Sequence, residues 1–424
     1  MAADPPAPRA STPAVVQGRR TPAARRETSA TSVPPVAVSD PTSVTHLVDL
    51  VLDRAVRDRA SDVHFEPFEH EFKIRYRVDG ALYELTPPPV QLAVPVTSRL
   101  KVLANLNIAE RRVPQDGRIK LSVAGRTVDL RISTLPTQFG ESVVLRVLDR
   151  AGVQLELREL GLPAEMQRQI EEAVRRPHGL VIVTGPTGSG KTTTLYSALR
   201  AITTPELKVL TAEDPVEYEI DGIMQVAVQP DVGLTFESAL RSFLRQDPDV
   251  IMVGEIRDLE TARIAVQAAL TGHLVLTTLH TNDAASAIAR LLDMGVEPFL
   301  LSSALTGVLA QRLVRRLCPE CCSAVVSTAE HWRCLPMAQN PFIGRPIFTA
   351  RGCAACANTG YRGRTGLFEW LALTEELRAA VLEHASTQAL RERAATAGLR
   401  PLRDVGIELI LSGGTTIEEV ARHC

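Results

Sequence analysis

The stretch LVIVTGPTGSGKTT, residues 180–193, determines how this chain is expected to fold. Its first part, LVIV at 180–183, is a short apolar run typical of a buried strand, and GPTGSGKT at 185–192 matches the phosphate-binding pattern G-x-x-x-x-G-K-[ST]. A helical pattern follows over 193–201. Because such loops require a strand before them and a helix after them, the sequence predicts a phosphate-binding loop and not an ordinary glycine-rich turn.

Each residue type in this loop has a chemical reason. Glycines let the backbone curl so that several N–H groups face one anion, and the helix that begins near Lys191 adds the positive end of its dipole. Lys191 supplies a positive charge for the β- and γ-phosphates, and Thr192 supplies a hydroxyl for Mg²⁺. The predicted nucleotide-binding residues are Gly185, Pro186, Thr187, Gly188, Ser189, Gly190, Lys191, Thr192 and Thr193.

Composition limits the number of domains and the class of partner. At 424 residues the chain is too long for one compact core, so two or three domains are expected. Its 45% hydrophobic and 23% charged residues are typical of a globular protein. A net charge of −2 and only 4% aromatic residues argue against a nucleic-acid translocase, which needs a basic channel with stacking side chains. We therefore expect no nucleic-acid partner.

Hydropathy gives no indication of a membrane span, because no run of 18 or more apolar residues occurs. The longest candidate, at 299–310, is interrupted by serine, threonine and glycine and is interpreted as a packed helix. Any association with a membrane is expected to come through partner proteins.

The chain is predicted to consist of five segments. Residues 1–42 are rich in Pro, Ala, Ser and Thr and have few large apolar side chains, so burial cannot offset the entropy lost on ordering them. Strands alternate with helices after residue 180, which is typical of a wound, mainly parallel α/β sheet. The predicted segments are a disordered arm at 1–42, an α+β domain at 43–150, an α/β domain at 151–315, a four-cysteine insertion at 316–366 and a helical region at 367–424.

Acidic residues follow two of the predicted strands directly. Glu213 and Glu217 come after the strand at 208–211, and Glu255 comes after the strand at 250–253. In a wound sheet, ligands bind beyond the carboxyl ends of the strands, so these residues are expected to converge on the phosphate-binding loop.

The chemistry of these acidic residues leaves some roles open. The stretch 250–255 occupies the place of a Walker B strand, and Gly254 stands where such a strand usually carries an aspartate. We therefore expect Glu255 to hold Mg²⁺ through water or to polarise the nucleophile. Either Glu217 or Glu213 could act as the general base for the attacking water, or position it.

Two histidines flank the predicted strand at 274–278. His273 and His280 are seven positions apart, which is about 23 Å in a straight strand at roughly 3.3 Å per residue, so both cannot contact one phosphate. His280, at the carboxyl end, is the predicted sensor of the γ-phosphate. His273 is predicted to be structural or to contact another subunit.

Two C-x-x-C pairs predict a metal site. Thiolates at this spacing typically bind Zn²⁺ tetrahedrally, and a site closed by four protein ligands is structural and not catalytic. Free buried cysteines are the alternative; Cys322 could compete as a ligand, whereas Cys334 and Cys424 are interpreted as incidental. The predicted zinc ligands are Cys318, Cys321, Cys353 and Cys356.

Taken together, these motifs resemble those of the secretion-superfamily ATPases. The resemblance rests on GPTGSGKTT at 185–193, EDPVE at 213–217, LRQDPDVIMVGEIRD at 244–258, TGHLVLTTLHT at 271–281 and the two cysteine pairs. The sequences GVLAQRLVR at 307–315 and GYRGRTGLFE at 360–369 favour the type II secretion system assembly ATPases over the type IV pilus assembly ATPases. Pilus retraction ATPases, which lack the four cysteines, are less similar.

The resemblance implies a fold, a reaction and partners. It implies a RecA-like P-loop ATPase domain, a preceding α+β (PAS-like) domain and a C-terminal zinc-knuckle and helical region. ATP, Mg²⁺ and Zn²⁺ are the implied cofactors, with Glu217 as the catalytic acidic-box residue and Glu255 as the Walker B glutamate. A homo-hexamer is implied, in which the α+β domain offers arginines to a neighbour's nucleotide; Arg118 and Arg131 are the candidates.

The expected function is therefore ATP hydrolysis that powers pseudopilus assembly and protein export. A type IV pilus assembly or DNA-uptake ATPase is the alternative. The expected location is the cytoplasm, at the cytoplasmic face of the bacterial inner membrane, through platform proteins of the secretion system. Family members usually carry a further folded N-terminal domain that docks on the platform. Because residues 1–42 are predicted to be disordered and not to form such a domain, the sequence does not identify the docking partner.

Overall fold

The computed structural model describes residues 41–123, 126–148, 156–337 and 340–424. The predicted disordered arm lies outside this part of the chain, except for residues 41 and 42, which begin the first helix. The described chain contains two large sheets and one small one.

The N-terminal part is a six-stranded antiparallel sheet with two helices on one face. Its strand order is β3-β2-β1-β6-β5-β4, and the alternating burial of β2 is typical of a sheet with one covered face. The core between sheet and helices includes Leu47, Phe65, Phe72 and Leu100, each at most 1% exposed. The elements are α1 (Pro41–Arg57), β1 (Asp62–Pro67), β2 (Phe72–Val78), β3 (Ala81–Glu84), α2 (Ala93–Leu103), β4 (Gln115–Val123), β5 (Arg126–Thr137) and β6 (Gly140–Leu148).

The second part is a seven-stranded sheet in the order β15-β12-β7-β11-β10-β8-β9. All its neighbouring pairs are parallel except β12 with β15. Its elements before the cysteine region are α3 (Ala164–Val174), β7 (Gly179–Thr184), α4 (Lys191–Ile202), β8 (Val209–Glu213), β9 (Ile223–Ala227), α5 (Phe236–Phe243), β10 (Val250–Val253), α6 (Leu259–Leu270), β11 (Leu274–Leu279), α7 (Ala284–Met294), α8 (Pro298–Ala304) and β12 (Leu305–Leu317).

The central strands β7, β8, β10 and β11 are buried along their whole length. Helices on both faces of the sheet explain why these strands are apolar runs without alternation. The remaining elements are β13 (Ser323–Val326), β14 (Pro346–Thr349), β15 (Tyr361–Ala372), α9 (Glu375–Leu382), α10 (Thr387–Thr396), α11 (Leu402–Leu411) and α12 (Ile417–His423).

The apolar stretch at 299–310 is not one packed helix, and that prediction is wrong. Helix α8 ends at Ala304 and β12 begins at Leu305, between β7 and β15. Every residue from 305 to 312 is buried, and an apolar run buried on all sides has the same pattern in a strand as in a helix. Strand β15 crosses the predicted limit at 366–367, so the region after 366 is not wholly helical and contributes a strand to the large sheet.

The two large sheets contact each other within one chain. The Asp79 carboxylate, in the turn after β2, accepts a hydrogen bond from the Gly363 N–H at 2.9 Å, and its other oxygen lies 3.4 Å from Nε of Arg364. In the part of the chain that the structure describes, no helix combines the length and the hydrophobicity needed to cross a bilayer.

Candidate functional site

The predicted phosphate-binding loop connects β7 to α4. Gly188 and Gly190 have φ angles of 79° and 88°, which favour glycine, and α4 begins at Lys191. Gly185 is also required, since a Cβ there would lie 2.5 Å from the carbonyl oxygen of Gln311 and 2.6 Å from Oγ of Ser189. The loop therefore has the curled backbone that the motif predicts.

Lys191 folds back over this loop. Its Nζ donates to the carbonyl oxygens of Gly185 at 2.9 Å and Pro186 at 3.2 Å. Burial lowers the pKa of Lys191, and the negative charge of Glu255 acts in the opposite direction. Thr192, in the first turn of α4, is exposed. The ammonium group and this hydroxyl lie at the N-terminal end of the helix, where an anion is favoured.

Glu255 and His280 lie together beyond the ends of β10 and β11. Oε2 of Glu255 is 3.3 Å from Nε2 of His280, and Oε1 accepts a hydrogen bond from Arg257 at 2.5 Å. Burial would raise the pKa of Glu255, but the adjacent Arg257 and His280 outweigh it and hold that pKa below its usual value. Glu255 is therefore a carboxylate close to the loop lysine.

Gly254 leaves little room for the aspartate that often stands at this position. A Cβ on Gly254 would lie 3.2 Å from the carbonyl oxygen of Ala212 and 3.4 Å from the ring of Phe236. The Gly254 N–H donates to the Ala212 carbonyl oxygen at 2.8 Å, and the Gly254 carbonyl oxygen accepts from the Thr278 hydroxyl at 2.7 Å. The acidic side chain at the end of β10 therefore comes from Glu255.

The two acidic residues after β8 have different environments. Glu213 is 3% exposed, and its carboxylate accepts hydrogen bonds from Tyr196, from Thr211 at 2.5 Å and from Gln225 at 3.1 Å. Glu213 is therefore a buried carboxylate held by three hydrogen-bond donors, which favours a structural role over that of general base. The Glu217 side chain is 36% exposed, so water can reach it.

The two candidate arginines lie side by side on the N-terminal sheet, where β4 and β5 pair. Arg131 contacts its own chain: Nη2 donates to the carbonyl oxygen of Val216 at 3.1 Å and lies 3.7 Å from Oε2 of Glu217. Arg118 is exposed. The resemblance implied that both reach a neighbour's nucleotide, whereas the structure places Arg131 at residues 213–217 of the same chain, which we call the acidic segment.

His273 lies at the other end of β11 from His280. Its Nδ1 is 2.9 Å from the carbonyl oxygen of Ala268, at the end of α6. This contact gives His273 a structural role in the described chain, away from the phosphate-binding loop.

Sequence reasoning missed three residues that hold the site. Arg257 contacts Glu255 and lies 3.7 Å from Asp214, and Tyr196 bonds to Glu213. Gln311 of β12 donates to the Ser189 carbonyl oxygen at 2.7 Å and accepts from the Thr194 hydroxyl at 2.8 Å. A glutamine within an otherwise apolar run, which the structure shows to be part of β12, was the available signal for Gln311.

The four predicted zinc ligands form one cluster. Their Sγ atoms lie within 4.8 Å of one another, with separations of 3.9 Å for Cys318–Cys353, 3.8 Å for Cys321–Cys356 and 3.8 Å for Cys353–Cys356. Tetrahedral sulfurs about 2.3 Å from a zinc ion are about 3.8 Å apart, so the spacing fits that metal.

Backbone donors support the same cluster. The N–H groups of Gly360 and Gly352 point to Sγ of Cys356 and Cys321, at 3.1 and 3.3 Å. Such hydrogen bonds stabilise thiolates over thiols. Among the described residues Cys322 lies outside the cluster, and Cys334 is exposed. The residues present therefore fit a single four-thiolate metal ion.

A family of known proteins matches most of this chain. The model of the family described as "Type II/IV secretion system protein" matches residues 37–422. The type II secretion system protein HxcR of Pseudomonas aeruginosa is 52% identical over 383 residues, which are 90% of this chain and 78% of that protein. The type IV pilus assembly ATPase PilB of Myxococcus xanthus is 49% identical over 384 residues, 90% of this chain and 68% of that one.

A solved structure shows the same architecture. The crystal structure of the pilus retraction motor PilT with bound ADP is 27% identical, superposes with a TM-score of 0.60, and covers 89% of this chain and 96% of its own. The expected α/β fold with a RecA-like ATPase domain is confirmed, as is the resemblance to the secretion ATPases. The chain belongs to the type II/IV secretion system protein family.

Proposed function

We propose that this chain is a Mg²⁺-dependent P-loop ATPase that powers pseudopilus assembly and protein export in a type II secretion system. The observation that carries the proposal is the meeting of Lys191, Glu255 and His280 beyond the ends of neighbouring parallel strands. The 52% identity to HxcR, a type II secretion system protein, supports the biological role.

Each residue has a role in the proposed reaction. Backbone N–H groups of residues 185–193 bind the phosphates, and Lys191 turns from the loop carbonyls toward the β- and γ-phosphates. Glu217 positions the attacking water, and His280 contacts the γ-phosphate. Thr192 and Glu255 offer the oxygen ligands that Mg²⁺ prefers, and the ion would neutralise charge on the phosphates.

Arginines from the N-terminal sheet complete the proposed site. A guanidinium group can stabilise the charge that spreads over the transferring phosphoryl group. We assign this role to Arg131 within its own chain, because it already lies at Glu217. Arg118, which is exposed beside it, is assigned to a neighbouring subunit.

The proposal extends to assembly and to metal. We propose a homo-hexamer in which segment 43–150 moves against segment 151–315, held at the cytoplasmic face of the bacterial inner membrane by platform proteins. The ion proposed for the four-thiolate cluster is a structural Zn²⁺. Its ligands come from the ends of β12 and from the segment before β15, so the ion would tie the cysteine region to the large sheet.

The test of the activity is ATP turnover by the purified chain. Lys191→Ala is expected to lower kcat at least roughly a hundredfold, as expected when a group that stabilises transition-state charge is lost. Lys208→Ala is the matched control, because Lys208 lies just before the amino end of β8, away from the carboxyl ends of the strands, and its Nζ donates to the Gln246 carbonyl oxygen. Full turnover by Lys191→Ala would end the proposal.

A type IV pilus assembly ATPase is the second candidate, favoured by the 49% identity to PilB. The two are separated by complementation of bacteria that lack either ATPase. Restored export of a secreted protein without restored pili supports the first function, and the reverse result supports the second. Turnover that does not depend on added DNA is expected for both and would exclude a DNA-driven translocase.

A further inference from the structure

Tyr196 connects the helix that follows the phosphate-binding loop to the acidic segment. It lies on α4, one turn after Thr192, so the two side chains share a helical face. The Tyr196 ring is completely buried, and the Tyr218 ring packs edge-on against it with centroids 4.6 Å apart at 81°. This packing fixes the direction of the Tyr196 hydroxyl.

The Tyr196 hydroxyl touches both ends of the acidic segment. It donates to Oε2 of Glu213, and it lies 3.3 Å from the backbone N–H of Glu217, whose hydrogen bond it accepts. The Gln225 amide nitrogen, whose two N–H groups point to the closer oxygens of Glu213 and Tyr218, lies 3.3 Å from the same oxygen. The hydroxyl thus acts as a donor at one end of the segment and as an acceptor at the other.

The surrounding groups keep Tyr196 in this state. Burial and the adjacent Glu213 carboxylate raise its pKa, so the hydroxyl keeps its proton. Gln225 of β9 also accepts from the Ile220 N–H at 2.7 Å and donates to the Tyr218 carbonyl oxygen at 3.1 Å. The end of β8 and the segment that follows it are thus held to α4 by the buried hydrogen bond from Tyr196 to Glu213 and by the partly buried one from the Glu217 N–H to Tyr196.

We propose that Tyr196 is a positioning residue that sets the place of Glu217 relative to the phosphate-binding loop. The inference rests on the proposed ATPase function. Without the hydroxyl, the Glu217 backbone loses its tie to α4, while Lys191 and Thr192 keep their places on the helix. The defect should therefore appear in the chemical step and not in nucleotide binding.

The test is Tyr196→Phe, which keeps the ring and its contact with Tyr218. We expect kcat to fall roughly ten- to a hundredfold, because a small misplacement of a reacting group lowers the rate by about that factor. KM for ATP and the affinity for ADP are expected to stay within about twofold of wild type, since the loop is unchanged. When Tyr196→Phe is added to Glu217→Gln, kcat is expected to fall little below that of Glu217→Gln alone, because both substitutions act through Glu217.

Two matched variants serve as controls. Tyr76→Phe removes another buried tyrosine hydroxyl, which donates to the Val51 carbonyl oxygen at 2.8 Å in the N-terminal part. Thr211→Ala removes a different donor to Glu213 without touching Glu217. Both are expected to keep most of the wild-type kcat. If Tyr196→Phe does not fold, Gln225→Ala, which breaks the same network, is expected to show the kcat loss.

The outcomes separate this inference from the proposed function. An active wild type in which Tyr196→Phe is as fast as Tyr76→Phe would overturn the inference alone. A Tyr196→Phe variant that raises KM for ATP in proportion to any loss would also overturn it, by showing a general disturbance of the loop. A wild-type protein without ATP turnover would overturn the proposed function and the inference with it.

Discussion

Arg131 of the N-terminal sheet lies 3.7 Å from Glu217, in the segment between β8 and β9 of the same chain, measured from Nη2 to Oε2. The residues are far apart in sequence, and the hydrogen bond from Arg131 to the Val216 carbonyl oxygen fixes the contact further. The N-terminal part therefore reaches the acidic segment directly. In any assembly that keeps this contact, Arg131 lies at the acidic segment of its own chain.

Mixing experiments can tell an arginine that acts within its chain from one that acts on a neighbour. Arg131→Ala and Lys191→Ala are each expected to be nearly inactive, and a mixture of the two is expected to stay inactive, because every chain carries its own defect. Arg118→Ala mixed with Lys191→Ala is expected to recover part of the ATP turnover. Recovery in the Arg131 mixture would show that Arg131 serves a neighbouring subunit.

Glu255 is expected to matter for turnover and not for nucleotide binding. Glu255→Gln keeps the size of the side chain but removes the charge held by Arg257 and His280, so kcat should fall roughly a hundredfold. ADP affinity should change little, as measured with a fluorescent analogue. Glu172→Gln, an exposed change on α3, is the control. If Glu255→Gln keeps wild-type turnover, another carboxylate has the role in turnover that we propose for Glu255.

Metal analysis tests the cysteine cluster. About one zinc per chain is expected, since four thiolates close one tetrahedral site. Replacing Cys353 and Cys356 by serine should release the zinc and lower the midpoint of thermal unfolding, because the metal's binding energy contributes to folding. Cys334→Ser, at an exposed cysteine, should keep both properties. A stable protein without metal would contradict the zinc proposal.

The ion pair between Arg315 of β12 and Glu419 of α12 predicts a pH dependence of stability. Their side chains approach to 2.5 Å, and Glu419 is 2% exposed. Burial would raise the pKa of Glu419, but the charges of Arg315 and Arg422 outweigh it and lower that pKa. Because this pKa is lower in the folded state than in the unfolded state, the ionised Glu419 stabilises the fold at pH values above the unfolded-state pKa. The stabilisation is lost as the pH falls through the folded-state pKa.

Glu419→Gln should therefore lower the free energy of unfolding by about 3 kcal/mol at pH 7. The difference from wild type should shrink as the pH falls below the usual glutamate pKa of about 4.3. Urea unfolding at several pH values measures both quantities. A difference that stays constant down to pH 3 would mean that the charge of Glu419 is not what stabilises this contact.

Local patterns predicted much of the fold. The central strands were found because parallel strands covered on both faces are continuous apolar runs, and the turn and helix around Lys191 follow from a complete motif. Strand β12 was missed for the same physical reason, since a run buried on all sides has no periodicity that distinguishes strand from helix. Its pairing with β15 joins segments about fifty residues apart and leaves no local signal.

The sequence by itself determined the residues of the phosphate-binding loop, the acidic positions after β8 and β10, and the four clustered cysteines. These depend on spacing along one stretch of chain and on the rule that parallel strands end at a common edge. Only the tertiary structure decided that Glu213 is buried with both carboxylate oxygens accepting hydrogen bonds, whereas the Glu217 side chain is partly exposed. It also decided that Arg131 contacts Glu217 of its own chain. Such distinctions depend on which distant side chains meet a carboxylate, and no local periodicity contains that information.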